Sequence, residues 1–136
     1  MPVVSMSIEK VKAKRNKDVV FSGGAITMTP RPAFIDIIEV KEEKSDTEYL
    51  LIPFKHTMIY KPNIGFFRIQ GNLLYVTDEK KKKETLAMWE ERKRVPDDVF
   101  VELMTPLASR SLFLEANLAF ELGIPPPIRL PKAKKE

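Results

Sequence analysis

The chain opens on an alternation. In VVSMSIEKVKAKRN, Val4, Met6 and Ile8 share one face, as a half-buried strand requires. The phase then slips, because Lys10, Lys12 and Lys14 inherit that parity while Val11 and Ala13 take the other. One extra residue, a β-bulge near Glu9, would return Val11 to the inside. VVFSGGAITMTPRP follows as an irregular connection or kinked edge strand, punctuated by Gly23-Gly24, Pro30 and Pro32. AFIDIIEVKEE is the second clear strand, with Phe34, Ile35, Ile37, Ile38 and Val40 on both faces, so both sides should be partly covered.

KEEKSD turns the chain into TEYLLIPFKHTMIYK, where Leu50, Ile52, Phe54, Met58 and Tyr60 keep one parity. The turn KPN leads to IGFFRIQGNLLYVTD, expected to return as a hairpin partner. The pattern there passes from Phe67 and Ile69 to Leu74 and Val76, which predicts a second bulge at Gly71.

Helical spacing takes over after Tyr75. Asp78 is placed to cap a helix through EKKKKETLAMWEERKR, whose narrow apolar stripe holds Leu86 and Trp89. DDVFVELMTPLASRSLFLEANLAFEL carries Val99, Leu103, Leu107, Phe113 or Leu114, and Leu118 or Leu122 at helical intervals. Pro106 is expected to kink that helix or split it. Gly123 suits the left-handed residue beyond a helix end, and Pro125, Pro126 and Pro127 forbid any further helix. An extended path follows in which Ile124, Ile128 and Leu130 can be buried, leaving KAKKE loose.

Composition narrows the chemistry. The 136 residues are one domain by size, 43% hydrophobic and 31% charged. No apolar run approaches the roughly 18 residues of a membrane span, and no leader pattern begins the chain, so a cytoplasmic location is expected. The absence of cysteine removes disulfides, thiolate metal sites and cysteine nucleophiles. His56 is the single histidine, which removes any two-His metal site. A single glutamine among abundant Lys and Glu is the bias of heat-adapted proteins and suggests a thermophilic, archaeal source.

Candidate reactive residues have plainer readings. His56 shares the apolar parity of Phe54 and Met58, and is read as a buried or interface histidine before a catalytic one. Asp36 interrupts an apolar strand as a carboxylate that could act in a cleft, pair with a cation or lie at an exposed edge. FSGGAIT lacks the spacing and lysine of a phosphate-binding loop. Basic clusters at residues 10–17, 80–83 and 92–94, with Phe66, Phe67 and Tyr75, keep a nucleic-acid-binding module as the alternative, the mild net charge of +4 lending it little. No metal spacing appears, no cofactor is expected, and a small carboxylate enzyme ranks last.

The hairpin YKPNIGFFRIQGNLLYVTD, the helix with Trp89, the helix RSLFLEANLAFELG and the end GIPPPIRLP together resemble the SecB-like superfamily of export chaperones, in particular its archaeal branch. The resemblance covers roughly the last ninety residues in element order; the first forty agree by strand count. It implies an α+β fold, a four-stranded or larger antiparallel sheet packed against a long C-terminal helix, with residues 1–131 as one domain and 132–136 as a basic tail. It further implies dimers or tetramers whose apolar grooves hold unfolded polypeptide without catalysis. Tyr49, Phe54, Phe66 and Phe67 are the candidate polypeptide contacts, divided between groove and core in a way the sequence leaves open. Bacterial members are strongly acidic, whereas this chain is basic, so a direct role with the bacterial export motor does not follow. Apolar residues at both strand parities independently suggest more apolar area than a small monomer hides.

Overall fold

The computed structural model describes residues 3–17, 26–41 and 48–127. In chain order these form β1 (Val3–Arg15), β2 (Thr27–Phe34), β3 (Ile38–Lys41), β4 (Glu48–Lys61), β5 (Gly65–Val76), α1 (Glu79–Arg92) and α2 (Asp97–Leu122). The strands make one antiparallel five-stranded sheet in the order β1-β5-β4-β2, with β3 also paired to β4. The buried residues of α2 join those of β4 and β5 in the main core. The fold is α+β, as expected.

There are five strands instead of four because the edge strand is split. AFIDIIEVKEE breaks at residues 35–37: β2 ends with Phe34 opposite Phe54, and β3 resumes with Ile38 opposite Leu51, one residue out of step. Opposite the break stands Pro53, whose carbonyl accepts the Ile35 N–H at 2.8 Å but which has no N–H to return. The extra residue turns Ile37 inward, where it is buried. Asp36 steadies the break, its Oδ1 accepting the Ile37 N–H at 2.8 Å and the Trp89 indole N–H at 3.3 Å.

The bulge near Glu9 is present, since the β1–β5 register slips between Ile8 and Lys10. The one expected at Gly71 is not. β5 alternates buried and half-buried residues without interruption and pairs with β4 in a continuous register. The inner face therefore runs from Phe67 and Ile69 through Gly71 to Leu73 and Tyr75, while Leu74 and Val76 face outward. Gly71 instead makes room for the bulge on β1: a Cβ there would lie 2.0 Å from the Ser7 carbonyl oxygen.

Asp78 caps α1 as expected, its side chain accepting the Lys81 N–H at 2.7 Å. α2 runs through Pro106 as one 26-residue helix, so the expected split does not occur. Its fully buried stripe runs through Val99, Leu103 and Leu107 and continues at the same four-residue step through Ser111, Glu115 and Ala119. Of the expected apolar positions, Leu114, Leu118 and Leu122 pack half-buried against the core beside it, while Phe113 is 67% exposed. Gly123 closes the helix in the left-handed conformation at φ 67°. The Arg15 guanidinium donates to the Leu122 carbonyl at 2.8 Å, placing a cation at the negative end of the helix dipole. Ile124 is buried against Met58, Tyr60, Ile64 and Phe67, and the Tyr60 hydroxyl donates to the Pro125 carbonyl at 2.7 Å. Gly23-Gly24, Ile128, Leu130 and the basic tail lie outside the described residues. Among the described residues, no helix is long and apolar enough to cross a membrane.

Gly71→Ala is expected to destabilise the fold by about 1–3 kcal/mol, the usual range for forced overpacking, since β1 backbone and not a flexible side chain must yield. Denaturant unfolding measures it; an unchanged midpoint would mean that β1 does not press on β5.

Candidate functional site

The registers sort every strand residue to one of two faces. Leu50, Ile52, Phe54, His56, Met58 and Tyr60 of β4 point toward the helices, in line with Tyr75, Leu73, Gly71, Ile69, Phe67 and Gly65 of β5. Their neighbours of opposite parity, including Tyr49, Thr57, Ile59, Phe66 and Arg68, point away. The four aromatic residues singled out from the sequence therefore do not converge. Phe54 and Phe67 are fully buried under the helices, in two different core clusters. Tyr49 and Phe66 are half-buried on the opposite face.

The apolar surface that does open lies between β2 and α2. Met28, Pro30, Pro32 and Phe34 occupy the inward parity of β2, opposite Tyr60, Met58, His56 and Phe54. Phe100, Met104, Ala108 and Leu112 follow one another by full helical steps on the flank of α2 that overhangs β2. Two cavities of about 330 Å³ line up along this trench. One is walled by Phe34, Trp89, Val95 and Phe100, the other by Met28, Pro30, Pro32, Met58, Met104 and Leu112. The Phe34 and Phe100 rings meet edge to face at 6.1 Å. From Phe100 to Leu112 the helix rises about 18 Å, the reach of roughly five extended residues. Methionine suits such a wall because its unbranched thioether refits to differently shaped partners.

Pro30 and Pro32 also protect the open edge. The Ile35 N–H bonds to β4, so Thr29, Arg31 and Ala33 of the same parity address β4 too, and the two prolines turn their missing donors toward the free edge.

His56 belongs to the trench floor. It is 4% exposed, and its Nδ1 stands 2.9 Å from Oε1 of Glu115, which is completely buried. The contact is close but lacks the alignment of a formed hydrogen bond. Burial, with the Glu115 carboxylate beside it, holds the Tyr60 phenol well above the ordinary tyrosine range. Among the described residues no cluster of three or more His, Asp or Glu side chains could hold a metal ion.

A charged clasp fixes the α1 end of the trench. The buried Lys82 ammonium lies 3.0 Å from Glu39 of β3 and bonds to Glu48 of β4. These bonds hold the Lys82 ammonium above the usual lysine range and the Glu48 carboxyl below the usual glutamate range. A second pair, Lys81 and Asp98 at 2.7 Å, joins α1 to the first turn of α2. Trp89 is thereby held against Val95 and Phe34, with the Lys93 ammonium 5.5 Å from its ring centre.

No family model matches the chain, and no curated protein matches it by sequence. Among solved structures it is similar to the SecB-like chaperone Rv1957 of Mycobacterium tuberculosis, determined in complex with a ChAD peptide from the HigA1 antitoxin Rv1956. The match has a TM-score of 0.59 at 8% identity and covers 99% of this chain and 93% of that one. It establishes a shared fold with a SecB-like chaperone.

The clasp has a defined pH window. With its folded pKa depressed below 4.5, Glu48 contributes stability that is present above the unfolded value and lost as pH falls through the folded one. Trp89 is the only tryptophan and sits on α1, so its fluorescence should change as the pH drops below about 4.5. Glu48→Gln should weaken the clasp already at neutral pH and flatten that part of the titration; an identical titration in the variant would show that the clasp does not hold α1.

Proposed function

We propose that the protein is a non-catalytic holdase that binds extended apolar segments of non-native polypeptide in the trench between β2 and α2, and works in the cytoplasm as a homo-oligomer. The observation that carries this is the trench itself. It is about five extended residues long, lined by methionine, proline and aromatic side chains, and bordered by an edge strand whose prolines deter pairing with a further strand. Capture of this kind needs shape and apolar area, not an acid, base or metal. The shared fold with a chaperone solved around a bound peptide supports the same reading. Self-association is supported by the solvent side of α2, where Val101, Phe113 and Phe120 are each more than 60% exposed.

The test is suppression of aggregation of a chemically denatured model protein at stoichiometric ratios across temperature. Wild-type protein should keep the substrate in solution. Met104→Glu and Leu112→Glu should each weaken that effect tenfold or more, since losing one buried side-chain contact removes about 1.5–3 kcal/mol. No suppression at any temperature sinks the holdase reading. Light scattering should return a dimer or tetramer; a strict monomer removes the oligomer from it.

A further inference from the structure

The face of the sheet turned away from the helices has a different chemistry from the trench. Its registers lay the outward side chains in rows across the strands. One row runs Lys12 on β1, Arg68 on β5, Thr57 on β4 and Arg31 on β2; the next holds Lys10, Gln70, Lys55 and Ala33; the third holds Lys14, Phe66, Ile59 and Thr29. Neighbours within a row are about 4.8 Å apart, and rows follow at about 6.8 Å. Among the described residues, Lys10, Lys12, Lys14, Arg31, Lys55 and Arg68 make no ion pair with a carboxylate. Glu9, at the bulge, is the acidic residue on this side, and its carboxylate is engaged by the Asn72 amide. The Arg68 Nε is buried against the sheet without a hydrogen-bond acceptor.

At the hairpin end of this charge is an aromatic platform. The Phe66 ring has the Lys12 ammonium 5.8 Å and the Arg68 guanidinium 5.3 Å from its centre. Beside it opens a cavity of about 580 Å³, walled by Phe66, Arg68, Ile59, Thr57 and the hairpin turn with Lys61 and Asn63. A volume of that order accommodates a nucleotide. Cations spaced along a flat face, a ring and a guanidinium on which a planar base can stack, and a mostly apolar recess edged by Thr57, Lys61, Asn63 and Arg68 at their side suit single-stranded polynucleotide binding. An acidic peptide would use the cations and leave ring and recess without a role. Thr57, 8% exposed, lines the recess beside Arg68, and the 2′-hydroxyl of RNA brings a donor and acceptor there that DNA lacks.

We propose that the open face of the sheet is a binding site for single-stranded RNA, with phosphates on Lys10, Lys12, Lys14 and Arg68 and a base stacked on Phe66. The site is independent of the trench, because the two surfaces occupy opposite faces of one sheet.

The experiment is fluorescence anisotropy of a labelled 15-nucleotide oligouridine with the full chain, repeated across salt concentrations. Binding should weaken with a log–log slope of about −3, as four phosphate contacts at about −0.7 each predict. Phe66→Ala should weaken binding about five- to a hundredfold, the span of one lost base stack. Lys12→Glu should weaken it at least tenfold, and thermal melts should show both variants folded. Lys80→Glu with Lys83→Glu, on α1, should leave binding unchanged; an effect equal to that of Lys12→Glu would reduce the interaction to diffuse charge and overturn the site. The proposal also fails if nothing binds at low salt, if oligodeoxythymidine or oligoglutamate binds as tightly as the RNA, or if Lys12→Glu instead dissolves a self-association through this face.

Discussion

The structure depends on how one helix covers the inner face of β4 and β5. The stripe of α2 that does this advances in fours and changes chemistry half-way. Val99, Leu103 and Leu107 pack in the main core with Ile52, Phe54 and Leu73. Ser111, Glu115 and Ala119 then continue along a part of the sheet that includes His56, Met58 and Phe67. Burying a polar side chain is costly without a polar neighbour, and among the described residues the neighbour that completely buried Glu115 meets on that face is His56, at 2.9 Å. Pairs of this kind add little net stability, because desolvation offsets their attraction. Their effect is on alternatives: sliding α2 by one turn would set Glu115 against Phe54 or Met58, apolar neighbours that cannot compensate it. The pair thereby ties the helix to one register on the sheet, and everything flanking the helix inherits that register.

The trench is one consequence. A single helix about 10 Å across cannot cover a sheet of this width. Once its main stripe is committed to the core, the next stripe, Phe100, Met104, Ala108 and Leu112, overhangs β2, meeting it where the Phe100 ring reaches Phe34 and leaving the two cavities along the gap. The split in the edge strand sets one end of the gap. Pro53 lacks the donor that would keep β2 and β3 in step, so the chain leaves the ladder at residues 35–37, and Asp36 links that departure to Trp89. α1 is thus drawn across the end of the trench by the same irregularity that shortens β2.

Much of this was legible in the sequence, and what was not has a common cause. Alternation located β4 and β5, the parity slip located the bulge at Glu9, and Asp78 and Gly123 marked helix ends, because each signal is carried by residues adjacent in sequence. The misplaced features depend on a partner far along the chain. Gly71 looked like a bulge of its own strand but is the concession β5 makes to β1. The break at residues 35–37 answers to Pro53 on another strand. Ser111 and Glu115 break the apolar pattern by which a helix face is legible, and the polar neighbour that Glu115 meets, His56, lies on a distant strand. The aromatic candidates show the same limit. Parity separates Phe54 and Phe67 from Tyr49 and Phe66, but which parity faces the helices is decided by the rest of the chain. The trench residues Met28, Pro30 and Pro32 fell in a segment whose prolines read as irregular; on an edge strand those prolines are compatible with pairing to one side.

The contrast between the two faces follows from strand parity, and the clasp on α1 completes it. A net charge of +4 is modest, and an even distribution would leave no strong patch. The strands carry three carboxylates, Glu9, Glu39 and Glu48, among the described residues. Lys82 binds two of them on the helix side, and Asn72 engages the third. The strand lysines and arginines of outward parity are left facing away from the helices without local acids to neutralise them. α1, with its low apolar content, contributes little to the core beyond Trp89. Its larger effect is to neutralise the two strand carboxylates of inward parity, so that one side offers an apolar trench and the other a row of cations. The alternation that builds the strands sets this separation, and Lys82 engages the two carboxylates that it places on the helix side.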